Sequence, residues 1–290
     1  SQQTYDDTKW QSVTVPHDWA IYGPFSIEND NQKVAITQDG QKEALEHAGR
    51  TGGLPFVGVG WYRLNFEAPA FSSGKKATLI FDGAMSHARV YINGQEAGFW
   101  PYGYNSFHID ATPYLKAGEQ NTLAVRLENE TESSRWYPGA GLYRNVHLIV
   151  TDKIHVPVWG TQITTPHVSK EFAAVRLQTR IDNAGEKTQI RMETEILSPD
   201  GKVVTRKENT GRINHGQPFE QNFIVNAPEL WSPENPSLYK AVSKIYANNK
   251  LVDTYTTRFG IRSIEFIADK GFYLNGEHRK FQGVCNHHDL

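Results

Sequence analysis

The chain has 290 residues, with 30 Lys and Arg against 32 Asp and Glu, a formal net charge of −2 and a pI of about 6.6. That balance excludes the basic excess of a nucleic-acid binder, and no apolar run approaches the ~20 residues that cross a bilayer. The single cysteine, Cys285, excludes an internal disulfide framework and a multi-cysteine zinc site. A content of 38% hydrophobic and 21% charged residues describes a globular chain, and its length predicts about two domains of roughly 150 residues each.

Ser1 to Asp7 has neither a basic start nor an apolar stretch. It reads as a cytosolic protein or as one whose signal peptide has been removed; one cysteine is compatible with either the bacterial cytoplasm or the periplasm. Trp61-Tyr62-Arg63-Leu64-Asn65-Phe66 alternates as a strand, with Tyr62, Leu64 and Phe66 on one face. Ala77 to Phe81 reads as a buried strand. Arg89-Val90-Tyr91-Ile92 leads into Asn93-Gly94, a strong two-residue hairpin signal, and Gln95 to Phe99 returns. Thr122 to Leu127 and Val146 to Val150 add further strands, together predicting a jelly-roll sandwich. The polar stretch Ile36 to Gly53 predicts a long excursion between strands, with one helical turn around Gln41 to His47.

The composition changes near Thr151-Asp152-Lys153. Val175, Leu177, Thr179 and Ile181 alternate with polar residues, as do Ile190, Met192, Thr194 and Ile196. Turns are expected at Asn183-Ala184-Gly185-Glu186 and Asp200-Gly201. With Phe219 to Val225 and Tyr239 to Ala247, this predicts an immunoglobulin-like sandwich of about seven strands, without the cysteine pair of antibody domains. A hairpin follows over Gly271 to Glu277, turning at Asn275-Gly276. Phe281 to Cys285 reads as a short strand delivering Asn286-His287-His288-Asp289 at its carboxyl end, as the first strand of a (β/α)8 barrel does. The stop at Leu290 reads as a cut through a longer protein. The expected domains are therefore 1–151, 152–266 and 267–290.

Five clusters carry chemistry. Asn286-His287-His288-Asp289 can hydrogen-bond sugar hydroxyls or be an exposed terminal loop. Its adjacent histidines point oppositely if extended, which argues against shared metal ligation. In Ser133 to Arg144, Trp136 and Tyr137 offer a flat apolar platform and Arg135 a grip on hydroxyls or a carboxylate. The same loop can be a structural corner whose aromatics plug the sandwich. Trp10 and Val13 to Trp19 read first as a packing element where a strand enters the sandwich, the alternative being that Asp18 accepts hydrogen bonds from backbone or a neighbouring Arg. Trp100-Pro101-Tyr102-Gly103-Tyr104 can line a groove or plug the core. Glu128-Asn129-Glu130-Thr131-Glu132 reads as a solvated acidic run with a carboxylate in reach of a cation or sugar, and Asn129-Glu130-Thr131 fits the N-glycosylation pattern. Gly58-Val59-Gly60 is no dinucleotide fingerprint, and there is no Gly-x-Ser-x-Gly elbow.

Taken in order, these segments resemble glycoside hydrolase family 2, the β-galactosidases, β-glucuronidases and β-mannosidases. The resemblance rests on Val15-Pro16-His17-Asp18-Trp19, Gly60-Trp61-Tyr62-Arg63, Phe81-Asp82-Gly83, Val90 to Gly94, and Arg135 to Arg144. It continues through Leu230-Trp231-Ser232-Pro233-Glu234-Asn235-Pro236, Phe259-Gly260-Ile261-Arg262 and Gly283-Val284-Cys285-Asn286-His287. It implies a jelly-roll sugar-binding domain, an immunoglobulin-like domain and a catalytic barrel. It also implies a retaining mechanism with two Glu roughly 5 Å apart. Both belong to later barrel strands, so no catalytic residue is assigned on this chain. His287 matches the family's sugar-contacting histidine. Asn286 stands where Lys or Arg is frequent and Cys285 where Asn is frequent, which points away from glucuronidases; His288-Asp289 is similar to a bacterial β-galactosidase branch. Arg135 and Trp136 match a loop that approaches the active site. The resemblance thus implies substrate-binding positions at His287, Asn286, Arg135 and Trp136. It places no metal ligand and no cofactor on this chain, while a divalent cation is compatible with the full enzyme. The expected partners are a β-galactoside and further copies in a homo-oligomer, with no nucleic acid and no membrane. The competing readings are a free-standing carbohydrate-binding module and a sister specificity of the same family.

Overall fold

A strand that alternates at period two needs a surface on which to bury one face, and each half of the chain supplies its own. The computed structural model describes residues 5–24, 33–37, 40, 42–43, 45–48, 57–130, 139–183, 185–213 and 218–284. The chain forms two compact units, one up to Val150 and one from Thr151 to Val284.

The first unit runs through β1 (Lys33–Ile36), β2 (Leu45–Ala48), β3 (Gly58–Glu67), β4 (Lys75–Phe81) and β5 (Ala88–Ile92). It continues with β6 (Gln95–Trp100), β7 (Phe107–Asp110), β8 (Gln120–Asn129) and β9 (Val146–Asp152). A four-stranded sheet in the order β3-β8-β5-β6 faces a three-stranded sheet in the order β7-β4-β9. This is the expected jelly-roll sandwich. Leu79 and Phe81 from one sheet meet Val90, Ile92, Val125 and Leu127 from the other in a single buried cluster. The Phe81 and Phe107 rings stack at 4.8 Å. Burying each such side chain contributes about 1.5–3 kcal/mol. Tyr62 and Phe66 face this core from β3, but Leu64 on the same face is 56% exposed. The strand lies at the edge of its sheet, so its end of the core is open.

Asn93 (φ 51°) and Gly94 (φ 85°) make the tight turn between β5 and β6, both left-handed as a two-residue hairpin requires. The buried Asn121 side chain anchors it. Its Oδ1 accepts from Asn93 Nδ2 at 2.8 Å and Lys116 N–H at 2.9 Å, and its Nδ2 donates to the carbonyls of Lys116 and Glu119. All four capacities of the amide are used, so its burial carries no unpaired group.

The helical turn expected around Gln41 to His47 is not what the described residues show. Leu45–Ala48 is strand, paired antiparallel with Lys33–Ile36 and bringing Ile36 opposite Leu45. Glu, Ala and Leu favour helix locally, but a partner strand overrides so weak a preference.

The second unit contains β10 (Ile154–His155), β11 (Thr161–Val168), β12 (Phe172–Arg180), β13 (Asp182–Asn183), β14 (Thr188–Leu197) and β15 (Val203–Ile213). It continues through β16 (Pro218–Asn226), β17 (Tyr239–Ala247), β18 (Lys250–Phe259), β19 (Ile264–Ile267), β20 (Gly271–Leu274) and β21 (Glu277–Arg279). A three-stranded sheet, β11-β12-β16, and a four-stranded sheet, β15-β14-β17-β18, form the immunoglobulin-like sandwich. The alternation read from the sequence is the buried face itself. Val175, Leu177, Thr179 and Ile181 are buried, as are Ile190, Met192, Thr194 and Ile196. Gly201 turns at φ 87°, and the Asn183 amide donates to the Glu186 carbonyl to close its turn.

β19, β20 and β21 form a separate three-stranded meander, turning at Asn275 (φ 53°) and Gly276 (φ 79°) as expected. The strand expected from Phe281 is not seen in its described part, because residues 281–284 belong to no strand. Cys285, Asn286, His287, His288 and Asp289 lie outside the described residues.

Candidate functional site

One end of the jelly roll gathers segments that are far apart in the chain. Asp18 is the centre of this gathering. Its Oδ1 accepts the N–H of Ala20 at 2.8 Å and of Ala140 at 3.0 Å. His17 N–H donates to the Leu142 carbonyl at 2.8 Å. The Tyr62 hydroxyl donates to the His17 carbonyl at 3.1 Å and lies 2.7 Å from His17 Nδ1. Gly141 and Met85 exchange backbone hydrogen bonds at 3.0 and 3.1 Å. The Tyr143 hydroxyl donates to the Gly103 carbonyl at 2.7 Å. Trp19 lies against Gly60, where an added Cβ would meet the indole at 2.5 Å.

Burial pushes the Asp18 carboxyl above its ordinary value, against the opposing pull of the Ala20 and Ala140 N–H groups and of His17. Burial likewise pushes the Tyr62 hydroxyl up to about 12, with Leu142 opposing and the Asp18 charge adding to the rise. Both groups therefore act as fixed hydrogen-bonding posts at neutral pH, Tyr62 as a neutral phenol.

The structure separates the aromatic clusters by role. Trp100 is half-buried and stacks on Phe107 at 5.7 Å, a plug of the core. Tyr102 and Tyr104 are exposed and lie 5.5 Å apart, tilted to one another. Their planes are 56° apart, so they expose two separate aromatic faces rather than one flat platform. Trp10 is 38% exposed against Tyr5 rather than packed in the core. Asn129 is 2% exposed. That burial removes it from glycosylation, so the Asn129-Glu130-Thr131 pattern marks no acceptor.

Of the loop from Ser133 to Arg144, the described part, residues 139–144, behaves as a structural corner. Ala140 and Leu142 are buried, and Gly139 leaves room for Asp18, whose Oδ2 would lie 2.9 Å from an added Cβ. Arg135 and Trp136 lie outside the described residues, as do Asn286 and His287. The sequence-derived substrate positions therefore have no described geometry; what the structure describes is the anchored corner of residues 139–144.

A concavity of about 560 Å³ opens along the edge of the same sandwich between Val15, Tyr62, Phe66, Leu79, Leu123 and Leu148. Its wall is mostly aliphatic. Thr14, Arg63, Asn145 and His147 are the polar members of its lining.

The sequence and fold match known proteins over their whole described extent. Residues 7–152 match the profile of the glycosyl hydrolases family 2 sugar binding domain, and residues 156–262 that of glycosyl hydrolases family 2. The chain belongs to glycosyl hydrolases family 2. It is 40% identical to the beta-galactosidase BoGH2A of Bacteroides ovatus, over 100% of this chain and 32% of that protein. It is 35% identical to a putative beta-glucuronidase of Formosa agariphila, over 99% of this chain and 26% of that protein. Among solved structures, a glycosyl hydrolase family 2 member from Bacteroides cellulosilyticus superposes with a TM-score of 0.87 at 33% identity, over 98% of this chain and 36% of that one. The chain thus spans about a quarter to a third of the length of these relatives.

Proposed function

We propose that this chain is the N-terminal part of a retaining exo-glycosidase that hydrolyses terminal non-reducing β-D-galactosides. In this reading residues 1–151 are the sugar-binding domain, 152–266 the immunoglobulin-like domain and 267–290 the start of the catalytic barrel. The two catalytic Glu lie beyond Leu290. The observation that carries it is the match of this entire chain to about a third of a beta-galactosidase at 40% identity.

A glucuronidase is the second reading, because relatives at 35% and 31% identity carry that name. Asn286 favours the galactoside. A glucuronide presents a carboxylate, and a neutral amide offers it hydrogen bonds without the charge that Lys or Arg supplies. Steady-state kinetics of the full-length protein on aryl β-galactoside, β-glucuronide and β-mannoside decide the matter. The galactoside is expected to give the highest kcat/KM; a higher value on the glucuronide overturns the specificity, and no hydrolysis of any of them overturns the enzyme reading in favour of a binding module.

A further inference from the structure

His87, Glu128 and Glu130 come together at the end of strand β8, with one ligand atom from each lying within 4.8 Å of the others. Two features of the fold bring them there. Glu128 and Glu130 are two residues apart where β8 ends, so the period of an extended chain sets both on the same side. Opposite them, just before β5, Glu128 N–H donates to the Ser86 carbonyl at 2.9 Å and Ser86 N–H to the Glu128 carbonyl at 3.3 Å. This pairing delivers His87 to the acidic pair. His87 is held in turn by a left-handed backbone (φ 47°) and by donation of its N–H to the Pro101 carbonyl at 3.1 Å.

The hydrogen bonding also fixes the imidazole's lone pair. The Ser86 hydroxyl donates its one proton to the Glu128 carbonyl at 2.7 Å. It also lies 3.2 Å from His87 Nδ1. With its proton committed, the hydroxyl can only accept from the ring, so Nδ1 carries the hydrogen and Nε2 keeps the free pair. An imidazole oriented through its other nitrogen is the usual state of a metal ligand.

We propose that His87, Glu128 and Glu130 bind one divalent cation of the zinc type, with Ser86 as the positioning residue for His87. One imidazole and two carboxylates, completed by water, suit zinc. Calcium and magnesium prefer all-oxygen shells. Arg126 is the competing cation, since its guanidinium pairs with one Glu128 oxygen. A carboxylate has a second oxygen with its own lone pairs, so Arg126 and the metal can share it. The bound ion would cross-link the end of β8 to the segment before β5, at the point where the chain enters residues 131–138. The proposal stands independently of which sugar the protein hydrolyses.

Calorimetric titration of zinc chloride into the metal-free 290-residue chain tests it. One zinc per chain is expected. His87→Asn and Glu130→Gln are each expected to lower the affinity about tenfold or more, and Ser86→Ala about tenfold. Asn tolerates the left-handed backbone of position 87, and Glu130 is exposed; unchanged melting of the metal-free variants confirms that they fold. The double variant His287→Ala, His288→Ala is expected to keep the site. Absence of zinc binding overturns the proposal. So does binding that survives His87→Asn and Glu130→Gln, binding lost in the His287, His288 variant, or displacement of zinc by an equal concentration of calcium.

Discussion

Asp18 and Ala140 are separated by 122 positions in the chain, yet the Asp18 carboxylate accepts the Ala140 N–H at 3.0 Å. The same oxygen accepts the Ala20 N–H at 2.8 Å. One side chain thus holds the turn after Trp19 and the corner that precedes Leu142. Asp18→Ala leaves two backbone donors without their partner, and each such loss costs about 1–3 kcal/mol where water cannot replace it. A loss of about 2–4 kcal/mol is expected in urea unfolding followed by tryptophan fluorescence. Asp18→Asn keeps a carbonyl oxygen at the same position and is expected to cost roughly half as much. Equal losses for the two variants would show that the charge, rather than the acceptor, holds the corner.

The pH dependence of the same residue has a definite sign. Burial raises the folded carboxyl above 3.8. Between 3.8 and the folded value, the folded state binds more protons than the unfolded chain. The contribution of Asp18 to stability therefore falls as pH rises through that window and is most favourable below it. Asp253 in the second unit is raised by burial as well, so the wild-type minus Asp18→Asn difference isolates Asp18. That difference is expected to move in favour of the variant as pH rises from below 3.8 towards neutrality. A difference that stays flat with pH would contradict the assignment.

Gly141 and Gly201 both have positive φ, 106° and 87°, but in different surroundings. An added Cβ at Gly141 would meet the Tyr62 hydroxyl at 2.4 Å and the His17 carbonyl at 2.5 Å, whereas at Gly201 nothing lies within 4 Å. Gly201→Ala carries only the backbone cost, about 1 kcal/mol. Gly141→Ala adds overpacking and is expected to cost about 3 kcal/mol. Comparable denaturant midpoints for the two variants would refute the crowding at Gly141.

The sequence is most informative where the determinants are local. Asn93-Gly94, Asp200-Gly201 and Asn275-Gly276 turn where they stand because the backbone conformation is a property of the dipeptide. Val175 to Ile181 and Ile190 to Ile196 reveal their buried faces because each strand has one core side and one outer side. Residues 33–48 mislead because the helix-favouring Lys42-Glu43-Ala44-Leu45-Glu46 carries no trace of its strand partner at Lys33–Ile36. The contact of Asp18 with Ala140 and that of His87 with Glu128 and Glu130 are set by topology. Parity places the two Glu side by side, but nothing in the neighbourhood of His87 announces which strand end it will face.

The proposed enzyme makes a prediction for residues outside the described geometry. His287→Ala in the full-length protein is expected to lower kcat/KM on the aryl β-galactoside by about 5- to 150-fold, the equivalent of about 1–3 kcal/mol for a lost hydrogen bond to the sugar. The 290-residue chain alone is expected to hydrolyse nothing. Hydrolysis by that chain would mean that the catalytic carboxylates lie within it.

Thr194 and Ser243 offer a test of the second unit's interior. Both are buried, at 0% and 1% exposure. They face each other in the β14–β17 register, with their hydroxyl oxygens 2.9 Å apart. Thr194→Val leaves the Ser243 hydroxyl buried opposite a methyl group, and Ser243→Ala does the converse to Thr194. Each single change is expected to cost about 1–3 kcal/mol. The double variant removes both polar groups while nearly preserving shape, so no unpaired hydroxyl remains to be desolvated. Its cost is expected to be no larger than that of either single change, giving a coupling of about 1–2 kcal/mol in a double-mutant cycle. Strictly additive losses would mean that each hydroxyl makes its contribution through a different partner.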